Sequence, residues 1–352
     1  MIRCTKCVMP NTRPDTPFVD GVCQACRNFA RRPEIDWPAR RQALADLLER
    51  GRNTSGFDCI VPSSGGKDSH YQVLQLIELG AKPLVVTATT CHLTKIGRMN
   101  IDNLARYATT IEVTPDRTVR AKLNRLGMEL VGDISWPEHV AIFTIPFRMA
   151  AAIGIPLIFY GENPQDQYGG PQGSEEAQKM TRRWRSEFGG FLGLRPSDLP
   201  DAGDLTDYQM PSKQDLEQVG IEAHFLGQYL PWDSHENAAV AAAAGMVQVL
   251  PSDANWWHHE NLDCSMTGIH DHQMFRKYGY GRACAQASVD VRSGRLSRAE
   301  AMDIVALRDT GKLPEVYMGV SVDEVLDRLQ IDRKEFTNLL NRFTNFAIFN
   351  GG

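Results

Sequence analysis

An apolar segment, Asp58-Cys59-Ile60-Val61-Pro62, runs directly into Ser64-Gly65-Gly66-Lys67-Asp68-Ser69, and an amphipathic segment runs directly out of it. The first reads as a short buried parallel strand. The second carries Tyr71, Leu74 and Ile77 at helical spacing, widened by Val73 and Leu76 and stopped by Gly80 and Pro83. A strand-to-helix turn with paired glycines lets the backbone approach a polyanion closely, and the free N–H groups of a helix N-terminus favour negative charge there. Lys67 adds a positive charge, and Ser64 and Ser69 add hydroxyl donors. The alternative is a glycine turn capped by Ser64, with Lys67 merely solvated. The glycines are adjacent, so this is not the Walker loop, which spaces them by four residues. The hexapeptide resembles instead the PP-loop of the ATP pyrophosphatases, which cleave ATP between the α and β phosphates.

The same alternation continues downstream. Pro83 to Ala88 and Thr109 to Val113 read as further strands, with a helix near Ile96 to Tyr107 between them, and helices follow over Arg117–Leu130 and Glu138–Ile153. Another strand, Pro156 to Tyr160, ends in Gly161-Glu162-Asn163-Pro164-Gln165-Asp166. Strands separated by helices imply parallel βαβ units, hence a doubly wound α/β sheet. Ligands in such sheets sit at the carboxyl ends of the strands, so Thr87, Gly161, Asn163 and Asp166 are expected to face the same crevice as Ser64–Ser69. An acidic residue such as Asp166, or Asp68 itself, can hold the Mg2+ that neutralises ATP. Asn163 or Asp166 also suits a plain helix N-cap.

Eight cysteines divide unevenly, and four form Cys4-x-x-Cys7 and Cys23-x-x-Cys26, with fifteen residues between the pairs. That spacing reads as a tetrahedral structural Zn2+ site; a redox pair or an Fe–S cluster are the alternatives. The intervening Pro10, Pro14, Pro17 and Gly21 leave a loop that forms no apolar core alone, so a metal would be its core. Cys59 reads as a small buried hydrophobe, and Cys91, after the second strand, as a residue that faces the nucleotide.

The formal charge of −5 argues against a large nucleic-acid footprint. The longest apolar stretch, roughly Ala238 to Leu250, falls short of the ~20 residues that span a bilayer, and Met1-Ile2-Arg3 leads into cysteines rather than an apolar signal core. A cytoplasmic protein with no membrane partner is expected. Residues 1–34 read as a zinc module, 35–230 as the nucleotide-binding domain with a lid-like irregular insertion over about 168–207, and 231–352 as a mostly helical region completing the acceptor site. Trp256-Trp257-His258-His259-Glu260 suits sugar stacking or core packing equally. His270-Asp271-His272 is a weak metal signature in a loop, and Ser321 with Glu324, and Asp332 with Glu335, have capping spacing before a stripe of Phe336, Leu339, Leu340 and Phe343.

Taken together, the chain resembles the N-acetyl sugar amidotransferase family of lipopolysaccharide O-antigen and pseudaminic or legionaminic acid biosynthesis. The resemblance runs over nearly its whole length. It rests on Cys4-Thr5-Lys6-Cys7-Val8-Met9-Pro10, the second cysteine pair, Cys59 to Ser69, Gly132 to His139, Gly161-Glu162-Asn163, Tyr168-Gly169-Gly170, Tyr229 to Asp233 and Gly279 to Ala283. It implies an ATP-dependent, AMP-forming ligase that converts the acetamido group of a nucleotide-linked sugar to an acetamidino group through an O-adenylyl imidate and ammonia. Lys67, Asp68, Asp166 and Arg282 are then the catalytic candidates, and Arg282 would meet a phosphate or a sugar carboxylate unless it forms a surface salt bridge. Met1-Ile2 offers no terminal nucleophilic cysteine and no Gly-x-Cys-x-Gly elbow is present, so ammonia is expected from separate glutaminase and cyclase-like subunits. A PP-loop tRNA sulfurtransferase is the alternative; its usual paired cysteines near the nucleotide have no counterpart in Cys91, Cys264 and Cys284.

Overall fold

The computed structural model describes residues 1–14, 16–52, 56–90, 92–170, 173, 179–251 and 255–349. Its centre is a five-stranded, wholly parallel sheet of β1 (Cys59–Pro62), β2 (Pro83–Ala88), β3 (Thr110–Val113), β4 (Leu157–Tyr160) and β5 (Glu222–Phe225), in the order β3-β2-β1-β4-β5. Ile60 pairs with both Leu84 and Ile158, so β1 lies at the middle and the strand order reverses beside it. β5 was not expected from the sequence, because the polar–apolar alternation of Glu222-Ala223-His224-Phe225 is only four residues long and its apolar members include a single large side chain.

Side chains alternate across a strand, and this chain uses the alternation to build two cores. Ile60, Leu84, Val86 and Ile158 face Leu123, Trp136, Val140 and Ile145 from helices Arg117–Val131 and Trp136–Ile153. Cys59, Val61, Val85 and Phe159 face the other way, onto Leu44 and Leu48 of helix Trp37–Gly51 and Val73 and Leu76 of helix Lys67–Glu78. Burying each such aliphatic side chain stabilises the fold by about 1.5–3 kcal/mol before conformational entropy is counted. The central strands are apolar on both faces because both faces are covered.

The packing of three segments bears on the crevice. From 179 onward the insertion does not lie over the crevice: Met180, Trp184, Leu199, Leu205 and Tyr208 join the core on the Trp136–Ile153 side, and Met180 N–H donates to Ala223 O at 2.8 Å along β5, whereas Tyr168 at its start lines the crevice. The cysteine module is not a body of its own either. Cys4, Cys7, Cys23 and Cys26 share a core with Tyr280, Cys284, Ala287, Ala301, Ile304 and Val305 of helices Arg282–Arg292 and Arg298–Arg308. Helix Ser234–Ala243 packs along Lys67–Glu78, which ties the start of the region after 231 to the nucleotide-binding body. The C-terminal stripe is core as far as Phe336, which is 2% exposed, and both expected caps form: Ser321 with Glu324 as a capping box, and Asp332 accepting from Glu335 N–H.

Candidate active site

β1 delivers the chain to the switch point of the sheet, where ligand crevices form in open α/β folds. Ser63 N–H donates to Val86 O at 3.0 Å, which ties the start of the loop to β2, and Gly65 N–H donates to Ser63 Oγ at 2.9 Å. Gly65 has φ +81, and a Cβ there would stand 2.8 Å from Ile101 N, so conformation and space both demand glycine. Gly66 is the N-cap of helix Lys67–Glu78, and with no side chain of its own it leaves the first-turn N–H groups open to the cavity. Behind the loop, Asn103 Nδ2 donates to His70 Nε2 at 3.0 Å. Burial lowers the His70 pKa, so the neutral ring keeps its proton on Nδ1 and donates it to Gly66 O at 3.0 Å. The turn is thus held from both sides.

The loop opens on a cavity of about 280 Å³ lined by Ser64 to Ser69, Glu162, Tyr168, His259 to Asp263 and Arg282. Lys67, 5% exposed, lies at its floor, 2.7 Å from Asp68 Oδ2 and 3.0 Å from Glu260 Oε1. Burial disfavours the ammonium, but Asp68, Glu260 and Glu162 more than offset it, and Lys67 stays charged with its pKa well above the ordinary value. Burial likewise opposes ionisation of Glu260, and Lys67 and Arg282 reverse that, bringing it down to about 2. Glu162 goes the other way: burial first, and Asp68 next, push it up to about 7 against the pull of Lys67. One cation and three carboxylates therefore share the floor, and the least compensated acid is Glu162.

Arg282 begins helix Arg282–Arg292 and is oriented by a bidentate pair with Asp271, Nη2 to Oδ1 at 2.7 Å and Nε to Oδ2 at 3.2 Å. Burial works against its charge, but Asp271 and Glu260 raise its pKa further above the usual range. A guanidinium fixed in this way, beside a helix N-terminus, is built to meet an oxyanion.

Of the residues expected in the crevice, Ser64, Gly65, Gly66, Lys67, Asp68, Ser69 and Arg282 line the cavity. The other four lie elsewhere. Asp166 is turned to Arg32, 3.5 Å away in the turn after helix Gln24–Ala30, because the short helix Pro164–Gln167 that carries it packs against that helix. Asn163 is the N-cap of that helix, its side chain accepting from Gln165 N–H at 3.1 Å. Gly161 packs under Trp232, where a Cβ would stand 3.0 Å from the indole. Thr87 is 1% exposed at the end of β2, its hydroxyl without a hydrogen-bond partner among the described residues. Cys91 lies outside the described residues.

Glu162 and Glu260 were missed as site residues. Glu162 occupies the second position past a buried strand, a place where an acid has no packing role, and that was the available signal. Glu260 had none: it comes 193 residues after Lys67 and sits in a tract whose tryptophans draw attention. Those tryptophans are structural. Trp256 and Trp257 both donate their indole N–H to Asp290 Oδ2, at 3.2 and 2.8 Å, and Trp257 stacks on His259 at 5.1 Å.

The four N-terminal cysteines converge with Sγ–Sγ separations of 3.9 Å for Cys4–Cys26 and 3.6 Å for Cys7–Cys23. Sulfurs at about 2.3 Å from one tetrahedral ion stand ~3.8 Å apart, so the set fits a single metal ion. It is too tight to enclose a multi-iron core, whose cysteine sulfurs stand outside the irons. Backbone N–H groups of Lys6, Cys7 and Cys23 point at Cys4 Sγ at 3.3–3.5 Å, stabilising thiolate charge.

Fold and loop together define a doubly wound α/β protein of the PP-loop class with an appended cluster of four cysteines that could hold a metal ion. Residues 254–351 match the family model of the LPS biosynthesis protein WbpG-like C-terminal domain, which supports the sugar amidotransferase resemblance. Comparison with curated proteins gives no significant match. Among solved structures, NMN synthetase from Francisella tularensis aligns at 11% identity and TM-score 0.29, covering 62% of this chain and 99% of its own. The U34-tRNA thiolase NcsA from Methanococcus maripaludis, solved with its [4Fe-4S] cluster, aligns at 12% identity and TM-score 0.34, covering 92% and 95%. These likenesses are too distant to carry an argument about ligand or reaction.

Proposed function

We propose that this chain is the ATP-dependent synthetase subunit of a sugar amidotransferase, converting an acetamido group on a nucleotide-linked N-acetyl sugar to an acetamidino group. The observation that carries the reading is the buried Lys67, set in a glycine turn at a helix N-terminus and ringed by Asp68, Glu162 and Glu260, in a chain whose C-terminal region is WbpG-like. An amide oxygen is a poor leaving group, so the amide oxygen first attacks the α-phosphorus of ATP and pyrophosphate departs. Ammonia then adds to the imidate carbon, AMP leaves with the oxygen, and a proton is lost. The Ser64–Ser69 turn and Lys67 stabilise the charge that develops on pyrophosphate. Arg282, which lines the same cavity, would meet the α-phosphate or a sugar carboxylate.

The hard oxygen donors of Asp68 and Glu162 suit Mg2+, which would neutralise the triphosphate. Glu162, carrying a pKa near neutrality beside other acids, is the carboxylate with most to gain from a cation. At the cysteine cluster the thiolate set suits structural Zn2+. Ammonia would come from separate glutaminase and cyclase-like subunits.

The sulfurtransferase alternative needs a cysteine able to ionise near the nucleotide. Burial drives Cys59 upward and pushes Cys264 and Cys284 up to about 12, so none of these three is primed as a thiolate, while Cys91 lies outside the described residues. Purified protein given ATP, Mg2+, ammonium and a panel of nucleotide sugars should release AMP and pyrophosphate with one of the sugars. AMP release that requires tRNA instead, or no sugar-dependent AMP at all, would overturn the reading.

A further inference from the structure

A second cavity, of about 390 Å³, lies beside the first and shares Tyr168 and Arg282 with it. Three side chains from three segments meet on its wall. Asp133 comes from the turn between helices Arg117–Val131 and Trp136–Ile153, His139 from the second of those helices, and His270 from helix Thr267–Tyr278. His270 was read from sequence as a loop residue pairing with His272; the helix instead sends it to Asp133. Asp133 is 5% exposed, and its Oδ1 accepts from Ser135 N–H at 2.8 Å and lies 2.9 Å from His270 Nδ1. Its Oδ2 lies 3.4 Å from His139 Nδ1. One donor atom of each residue falls within 4.8 Å of the others.

A hydrogen-bonded Asp–His pair would need only one imidazole. Here the second is present as well, and its Nδ1 is excluded from solvent, aimed at the carboxylate, and without a hydrogen bond among the described residues. A buried ring nitrogen whose contact with the carboxylate is this long, 3.4 Å and without hydrogen-bond geometry, is poorly satisfied, and a small cation held between the two would bind both. An ion bonded at about 2.0–2.2 Å to each of the three donors satisfies them together. The surroundings are braced as ligand shells are: Gln273 Oε1 accepts from Ile134 N–H at 2.9 Å, and Lys277 Nζ donates to Val131 O at 2.6 Å, fixing the turn that carries Asp133.

We propose that Asp133, His139 and His270 form a binding site for a divalent first-row transition ion such as Zn2+, distinct from the cysteine cluster, with its remaining coordination positions turned into the cavity. Two imidazoles and one carboxylate select a borderline ion over Mg2+ or Ca2+. Three protein ligands leave room for an oxygen or nitrogen ligand from a small molecule in the cavity. The site stands on ligation geometry alone and does not depend on the ATP chemistry proposed above.

The test is metal stoichiometry on the full chain, purified without chelator and reconstituted with Co2+. Thiolate-bound cobalt is identified by its strong near-ultraviolet charge-transfer band, which an N/O site lacks. The wild type should hold about two ions per chain, and H139A and H270A about one, with the thiolate band intact in all three. A wild type that binds only the thiolate ion, or variants that retain the second, would overturn the proposal. If an alanine variant also loses the thiolate band, the isosteric D133N decides: loss of the second ion with the band intact supports the site, and retention of it overturns it.

Discussion

Gly65 is the residue on which the active-site turn depends most directly. Replacing it with alanine forces an L side chain into left-handed backbone space and brings a methyl group against Ile101 N. G65A should destabilise the protein by about 1–3 kcal/mol, checked by denaturant unfolding, and should weaken nucleotide binding by more than its stability cost explains. Glu260 allows a test by pH. Its carboxylate is held at about 2 in the folded protein against an ordinary value near 4.5, so its contribution is fully present above 4.5 and is lost as pH falls toward 2. That contribution is on the order of 3 kcal/mol; E260Q should therefore unfold more easily at pH 7 and show a flatter acid limb in a Tm-versus-pH series. Glu162 makes the opposite prediction. With a pKa of about 7 it is half protonated at neutral pH, and binding of Mg2+ with nucleotide should release a proton there, read as a buffer-dependent enthalpy in calorimetry and absent in E162Q.

At the level of elements, the cysteine cluster acts as a clamp on the C-terminal helices rather than as a separate module. Arg298 Nε donates to the carbonyls of Cys4 and Cys7 at 3.2 and 3.1 Å, and Arg3 donates to Val8 O at 2.6 Å beside Cys284. If the cluster holds an ion, removing that ion, or C26S, should lower Tm by at least about 5 °C and raise hydrogen exchange in Arg282–Arg292 and Arg298–Arg308 before it does so in the sheet. The central strands and the Lys67–Glu78 helix were legible because apolar runs and glycine turns are local signals. β5 was not, since Glu222-Ala223-His224-Phe225 becomes a strand only by pairing with β4. Site residues divide along the same line: Ser64 to Ser69 could be read from their own neighbourhood, whereas Glu260 reaches Lys67 only through the tertiary path set by Gln286 and Asp290. Asp166 was misplaced because residues just past a strand can turn toward the crevice or away from it, and the four-residue helix Pro164–Gln167 takes them away.

For the molecule as a whole, the cavity at the glycine turn and the one beside Asp133 meet at Tyr168 and Arg282, so a ligand in either has the same two side chains within its walls. K67M should abolish sugar-dependent AMP formation, by at least about 10²-fold, while leaving the metal content of the cysteine cluster unchanged; AMP formation at the wild-type rate would remove Lys67 from the chemistry. Among the described residues no helix is long and apolar enough to cross a membrane. The shared core of Cys4 to Cys26 with Tyr280 to Val305 also dictates an order of events during synthesis. At ribosomal rates of about 5–20 residues per second, some 250 residues must follow the last of these cysteines before its packing partners exist, a wait of roughly 12–50 s. Through that interval the thiols are exposed to oxidants, and an early-captured ion would shield them. Metal supply should thus govern the yield of folded chain as well as its final stability.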